Sequence, residues 1–307
     1  MLARMHPRTR IGAACAALAA AVLSAGCGAG AGAAPSPTVD RFDAGRAFAD
    51  LRMQVDLGPR PAGSAASRVL AERLRRALPH GRFSAVPGGL RNVVGSLPGR
   101  GKAILVAAHY DTKDIPGFVG ANDGAGGVAV VLEVARALQA DRRACDRRVR
   151  FVMFDGEESP GPLDDGTTFL RRGARGSRAD AAVMARRTHS MVLVEFVADA
   201  KLSIPREAGS DTALWARLRE AAGDVGASRV FPPRAAPVVL DDHLPYRERG
   251  VPAINLIDFD YPYWHTPEDT LDKVSPRSLD AVGETLVEML RSMARETCPR
   301  AGSAPTR

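Results

Sequence analysis

Apolar positions recur along this chain with two alternating periods. Helical spacing marks Asp43–Val55 and Ser64–Leu78, the second carrying Val69, Leu70, Leu74 and Leu78 on one face. Leu57-Gly58-Pro59-Arg60-Pro61 breaks the chain between them. Asn92–Leu97 and Lys102–Ala108 are β-rich runs joined by Pro98-Gly99-Arg100-Gly101, a turn. Gly124–Leu138 reads as a helix with Val128, Val131, Leu132, Ala135 and Leu138 on one side. A strand at Arg148–Phe154 and a short helix opening at Thr168–Leu170 follow. Met191–Val197 and Ala253–Ile257 are near-continuous apolar runs of the kind that strands buried on both faces require. Helices are predicted at Ala213–Val225, at Asp242–Arg249 and at Ser275–Arg295, the last with Leu279, Val282, Leu286, Met289 and Met293 inward.

Buried strands alternating with helices predict an α/β fold. It is one domain, a three-layer α/β/α sandwich around a mainly parallel, doubly wound sheet. No internal repeat and no second-domain boundary is visible. The expected organisation is a signal peptide at 1–26, a flexible tether at 27–42, a catalytic domain at 43–298 and a disordered tail at 299–307.

Composition narrows the partners. The 307 residues are 45% apolar, 25% charged and 5% aromatic, which excludes a disordered, collagenous or multi-span membrane protein. Net charge is +7, and Arg4, Arg8 and Arg10 fall in the segment expected to be removed. The remaining excess is small and spread out, so no nucleic-acid patch is indicated.

Those three arginines precede an apolar run from Ile11 to Leu23, too short to span a bilayer stably. Leu23-Ser24-Ala25-Gly26-Cys27 then resembles a bacterial lipoprotein signal in which Cys27 is lipidated, although Ser24 stands where a large apolar residue is usual. The expected location is outside the cell membrane through that anchor, with plain secretion as the alternative. Cys145 and Cys298 remain, both on the edge opposite the strand ends that carry the polar clusters. A disulfide suits an oxidising compartment, and two unpaired thiols stay open.

Four polar clusters fall where buried strands end: Ala107-Ala108-His109-Tyr110-Asp111, Phe118-Val119-Gly120-Ala121-Asn122-Asp123-Gly124, Phe154-Asp155-Gly156-Glu157-Glu158 and Tyr263-Trp264-His265-Thr266. Singly each has a plainer reading as a turn, a cap or surface charge. Together, two His and several acids at one rim match a zinc site with N/O ligands. Adjacent glutamates point in different directions, so one can bind metal while the other serves as a base. His80 and His189 keep the plain reading. No phosphate loop with correct spacing and no G-x-S-x-G elbow is present.

Ala108-His109-Tyr110-Asp111-Thr112, Asn122-Asp123-Gly124-Ala125, Gly156-Glu157-Glu158 and Trp264-His265-Thr266 resemble the zinc aminopeptidase family that also contains the glutaminyl-peptide cyclotransferases. The resemblance runs from about Leu57 to Leu290. Features that lean to the cyclotransferase branch are Leu57–Pro61, Phe118–Ala121, the insert Ser159–Thr167, Asp241-Asp242-His243-Leu244-Pro245, and Trp264 before His265. The resemblance implies Asp123, Glu158 and His265 as zinc ligands and Glu157 as general acid/base. It implies Asp242 in the proton network, and Trp264, Asp111 and His243 at the substrate pocket. In the peptidase branch a second metal would use His109 and an Asp at the position of Glu195, with Asp123 bridging; Ala198 also replaces the usual glycine. One zinc is therefore expected, with two as the alternative. The expected substrate is a peptide or protein N-terminus. Cyclisation of N-terminal Gln is favoured over exo-aminopeptidase action, and a non-catalytic binding lipoprotein is the third reading. A monomer is expected.

Overall fold

The computed structural model describes residues 34–161 and 165–298. Six strands form the main sheet: β1 (Arg82–Val86), β2 (Leu90–Leu97), β3 (Arg100–His109), β4 (Arg147–Phe154), β5 (Thr188–Val194) and β8 (Ala253–Leu256), in the order β1-β2-β4-β3-β5-β8. The neighbours β4/β3, β3/β5 and β5/β8 are parallel, while β1/β2 and β2/β4 are antiparallel. Two short strands, β6 (Arg206–Glu207) and β7 (Ala235–Ala236), pair separately.

Alternation along the strands separates two cores, because successive side chains leave opposite faces. Ile104, Val106 and Ala108 of β3 join the larger core with residues of α1 (Ala44–Val55), α2 (Ala65–Ala77), α3 (Ala125–Ala140), α6 (Thr212–Asp224) and α8 (Pro276–Arg295). Leu105 and Ala107 join the other, with Ala181 of α5 (Arg175–Met184) and with Tyr246 of α7 (Leu244–Arg247). A seven-residue helix, α4 (Gly166–Arg172), completes the set. Side-chain caps start the main helices: Asp43, Ser64, Asp211 and Ser275 each accept a backbone N–H in the first turn, a contact worth about 1 kcal/mol apiece.

The three-layer expectation holds, with corrections at the edges. β1 and α5 are absent from the sequence-based element set. β1 is an edge strand with a largely exposed face, so no apolar run announces it. The run Met191–Val197 is strand only to Val194, which leaves Glu195 just past the strand end. The expected tether is docked over its last residues. Thr38 donates to the Val225 carbonyl at 2.9 Å, Phe42 is buried, and its N–H donates to Glu284 at 2.7 Å. Burying a Phe stabilises by about 2 kcal/mol, which a free linker would forgo. Residues 1–33, with the expected signal and Cys27, lie outside the described residues, as do 162–164 of the insert and the tail from 299. Cys145 and Cys298 form a disulfide that closes a separation of 153 residues. Among the described residues no helix is long and apolar enough to cross a membrane.

The chain leaves β3 through α3 to β4 on one side, then crosses to β5 on the other side of β3. The carboxyl ends of β4, β3 and β5 therefore splay apart at a topological switch point, where open α/β sheets bind ligands.

Candidate metal centre and active site

Each chemical group reaches that crevice from a different strand end. His109 is the last residue of β3, Asp123 lies in the loop before α3, and Glu157-Glu158 follows β4. Glu195 follows β5, and His265 comes from the loop after β8. Gly156 takes φ +75, a left-handed turn that L side chains rarely adopt, and so swings the chain from β4 into the Glu157-Glu158 pair. Asp111 fixes that turn by accepting the Gly156, Glu157 and Glu158 N–H groups at 2.9, 3.2 and 3.3 Å. Asp269 does the same for the next loop. It accepts the N–H groups of Asn122 and Asp123 at 2.9 and 3.0 Å and the Tyr261 hydroxyl at 2.6 Å.

Two histidine–carboxylate clusters share Asp123. His265 Nε2 lies 2.9 Å from Glu158 Oε1 and 3.4 Å from Asp123 Oδ2. His109 Nε2 lies 3.0 Å from Glu195 Oε1 and 3.2 Å from Asp123 Oδ1. Tetrahedral zinc with bonds of about 2.0–2.1 Å places its ligand atoms about 3.3 Å apart. The His–carboxylate distances in both clusters are near that spacing, and in each cluster the three potential ligand atoms lie within 4.8 Å of one another. Asp123 Oδ2 and Glu195 Oε2 are buried and accept no hydrogen bond among the described residues. The donor chemistry, the spacing and these two oxygens fit zinc.

Electrostatics agree. Burial opposes charge on Asp123, but His109 and His265 hold its carboxyl well below the usual range. Burial likewise opposes charge on His265, yet Asp123 and Glu158 push it up to about 11. Burial, helped by Asp241 and Asp123 against His109, raises Glu195 to about 8. Burial and then the Glu158, Asp241 and Asp242 carboxylates push Glu157 well up. A bound cation would displace the imidazole protons that now balance these acids.

A cavity of about 530 Å³ opens on the site, and Glu157, Glu158, Asp123, Glu195 and His265 reach its wall. Trp264 stacks on the His265 ring at 4.5 Å between centroids, and Phe118 meets that ring edge-on at 5.8 Å. His265 adopts φ +51, and these ring contacts hold it in that uncommon conformation. Val238, Leu240, Phe259 and Trp264 line the exposed rim of the cavity, beside the exposed Arg234 and Asp260.

Asp242, expected in the proton network, and Asp111 and His243, expected at the pocket, are not among the residues that line the cavity. Asp242 is fully buried behind the wall and accepts from the Ser177 hydroxyl, while its neighbour Asp241 lines the cavity. Adjacent residues in a turn point to different sides, and the sequence alone does not say which faces in. His243 is fully buried, with Nε2 3.6 Å from Glu207. Asp111 serves the backbone turn beneath the glutamates. Lys113, Glu207 and Asp269 are residues the sequence did not single out. Lys113 Nζ sits 3.6 Å from Glu158 Oε2, and Asp269 follows His265 by four residues in a polar run that reads as surface.

The model of peptidase family M28 matches residues 92–290, a segment containing all of these strand-end residues. The chain belongs to that family. It is 31% identical over 240 residues to a glutaminyl-peptide cyclotransferase-like protein of Mus musculus, covering 65% of this chain and 59% of that protein. The chain thus spans less than two thirds of that M28 relative's length. Among solved structures it is similar to an Acidobacteriales bacterium glutaminyl cyclase, with TM-score 0.72, 30% identity, and coverage of 84% of this chain and 96% of that one. It is also similar to a Zn-dependent exopeptidase from Parabacteroides distasonis, with TM-score 0.70, 25% identity, and coverage of 82% and 99%. The proteins this chain is similar to thus include both cyclases and exopeptidases.

Proposed function

We propose that this chain is a zinc enzyme acting on peptide N-termini, and that its reaction closes N-terminal glutamine to pyroglutamate with release of ammonia. The observation that carries this reading is the Asp123–Glu158–His265 set on the cavity wall, with Glu157, a carboxyl raised by burial, one residue away on the same wall. Similarity to the cyclotransferase-like protein and the glutaminyl cyclase supports the choice of reaction.

Asp123, Glu158 and His265 would hold the ion. Zinc bound there supplies a Lewis acid for the γ-carboxamide oxygen. Glu157 takes one proton from the substrate α-amine as its nitrogen bonds to the side-chain carboxamide carbon, Cδ. It returns that proton to the amide nitrogen as the carbon–nitrogen bond breaks, so ammonia leaves and the ring closes. A carboxyl with a raised pKa is suited to both halves of that transfer. Asp241 lines the same wall, and behind burial and Glu158 its charge and that of Asp242 help to keep Glu157 raised. Trp264 packs the mouth side of His265 and shields the reacting end from water. Ring closure within one residue depends on positioning more than on a strong nucleophile.

The second reading is exo-aminopeptidase action with two ions. The His109–Asp123–Glu195 set favours it, because it offers a further ligand group beside the first. One experiment separates the two: assay ammonia release from Gln-peptides and free residues from aminoacyl anilides, with metal per chain measured alongside. Ammonia release at about one zinc per chain is expected. Free N-terminal residues without ammonia, at two metals per chain, would establish the peptidase.

The location proposed is outside the cell membrane, anchored by a lipid on Cys27 or secreted. The arginine-led apolar N-terminus and the Cys145–Cys298 disulfide support export. A fatty-acid probe that labels the wild type and not Cys27→Ala checks the anchor.

A further inference from the structure

Arg60 is the largest fully buried side chain among the described residues, and the chemistry above leaves it unused. It sits in the Leu57–Pro61 break between α1 and α2. Its backbone N–H donates to Thr112 Oγ1 at 2.8 Å, and its carbonyl accepts the Thr112 N–H at 3.1 Å. Nη1 donates to the carbonyls of Gln54, Gly58 and Val119 at 3.0, 2.8 and 2.9 Å, and Nη2 to that of Gly120 at 3.4 Å. Among the described residues Nε has no partner, and no carboxylate is bonded to the guanidinium.

Burying a guanidinium without a paired anion costs several kcal/mol, so such a group needs a source of compensation. Burial lowers the Arg60 pKa to about 10, and the charges of Asp123, Asp269 and Asp111 oppose that fall. The side chain is therefore still a cation at neutral pH. Those three acids are the ones that build the candidate metal centre. Asp123 is shared by both clusters, Asp269 holds the Asp123 backbone, and Asp111 holds the Glu157-Glu158 turn. Arg60 also grips the loop itself. Gly120 adopts φ +54, where an added Cβ would lie 2.2 Å from the Asp123 carbonyl, so the turn into Asp123 is tight. The Val119 and Gly120 carbonyls at its start are the two that Arg60 holds.

From this juxtaposition we infer that Arg60 is a positioning residue for the metal centre: it clamps the 119–120 turn, so that the tight loop leading into Asp123 holds the shared carboxylate aimed at both clusters before an ion arrives. The inference rests on the zinc reading above. It differs from a purely structural role in what it predicts, since a structural plug would affect folding and leave metal affinity alone.

The test uses full-length protein and zinc itself. The zinc dissociation constant is measured by competition with a chromophoric chelator, and thermal midpoints are taken on the metal-free protein. Arg60→Met and Arg60→Lys are compared with Leu286→Ala, a core truncation in α8 that loosens the fold away from the site. Arg60→Met is expected to weaken zinc binding 10–100-fold, the range typical when a partner of a metal ligand is lost. Arg60→Lys, which keeps the charge and loses the fork, is expected to weaken it less. Leu286→Ala is expected to lower the thermal midpoint with zinc affinity unchanged. Zinc affinity in Arg60→Met within twofold of Leu286→Ala would overturn the inference. Loss of folding in both Arg60 variants would also overturn it, in favour of a structural plug. A wild type that binds no zinc would instead strike the proposed function.

Discussion

The two halves of the site are built from the same parts and differ in access. The His265 side chain is 10% exposed and lies under Trp264 at the cavity; the His109 side chain is 2% exposed and closed in by Glu195 and Asp123. Both rings meet the same carboxylate, one on each oxygen. A substrate entering the cavity meets the His265–Glu158 half first, with Glu157 beside it. The difference teaches that ligand chemistry alone does not divide cyclase from exopeptidase. On the function proposed above, the two reactions differ in whether the inner half holds an ion or stands as a hydrogen-bonded group that aligns Asp123 for the outer one.

Asp123→Ala should have the largest effect, because it removes a donor from both halves at once. Zinc affinity should fall by more than about 100-fold, beyond what losing an outer partner costs, and activity should vanish with it. Metal analysis after dialysis checks this, and full zinc retention would mean that the halves do not share the ion's ligand. Glu157→Gln comes next. It should keep zinc and the circular dichroism spectrum while losing on the order of 10²-fold or more in kcat. Zinc loss in that variant would exchange the roles of the two glutamates. His109→Ala breaks only the inner half. A decrease of about tenfold in zinc affinity with the metal count unchanged is expected, as for a residue that orients a ligand. A count falling from two ions to one, with collapse of activity, would show that the inner half is a metal site. The smallest effect is expected at the mouth. Leu240→Ser should lower kcat/KM roughly fivefold for Gln-peptides with an apolar second residue, a loss of about 1 kcal/mol of apolar contact. It should leave peptides with a polar second residue unchanged, and equal losses on both would deny the mouth a part in recognition.

Much of this was legible in the residues because the fold writes its chemistry at strand ends. Apolar runs located β3, β4, β5 and β8, and the polar residues that end them are His109, Glu157-Glu158, Glu195 and the His265 loop. Less legible were groups whose role depends on what folds above them. Asp269 reads as surface charge until Tyr261 and the Asn122-Asp123 backbone close over it. Arg60 reads as part of a chain break until the 119–120 turn docks on it. Asp241 and Asp242 are indistinguishable by spacing, since which one faces the cavity is decided by Ser177 on α5, a helix that the pattern does not reveal. The last residues of the expected tether look like a linker by composition, and one aromatic, Phe42, is enough to dock them.

The Cys145–Cys298 bond also governs how the protein would look after damage. Glu157, Glu158, Glu195 and His265 all lie within the loop it closes. A protease that nicks the chain once between the two cysteines produces two polypeptides that stay linked. Without reductant the nicked molecule migrates as one band, and its mass exceeds that of the intact chain only by one water. With reductant it separates into two pieces, and for any cut before His265 one carries His109 and Asp123 and the other carries His265. A cut in the surface connections of that loop would leave both halves of the site on one covalent body.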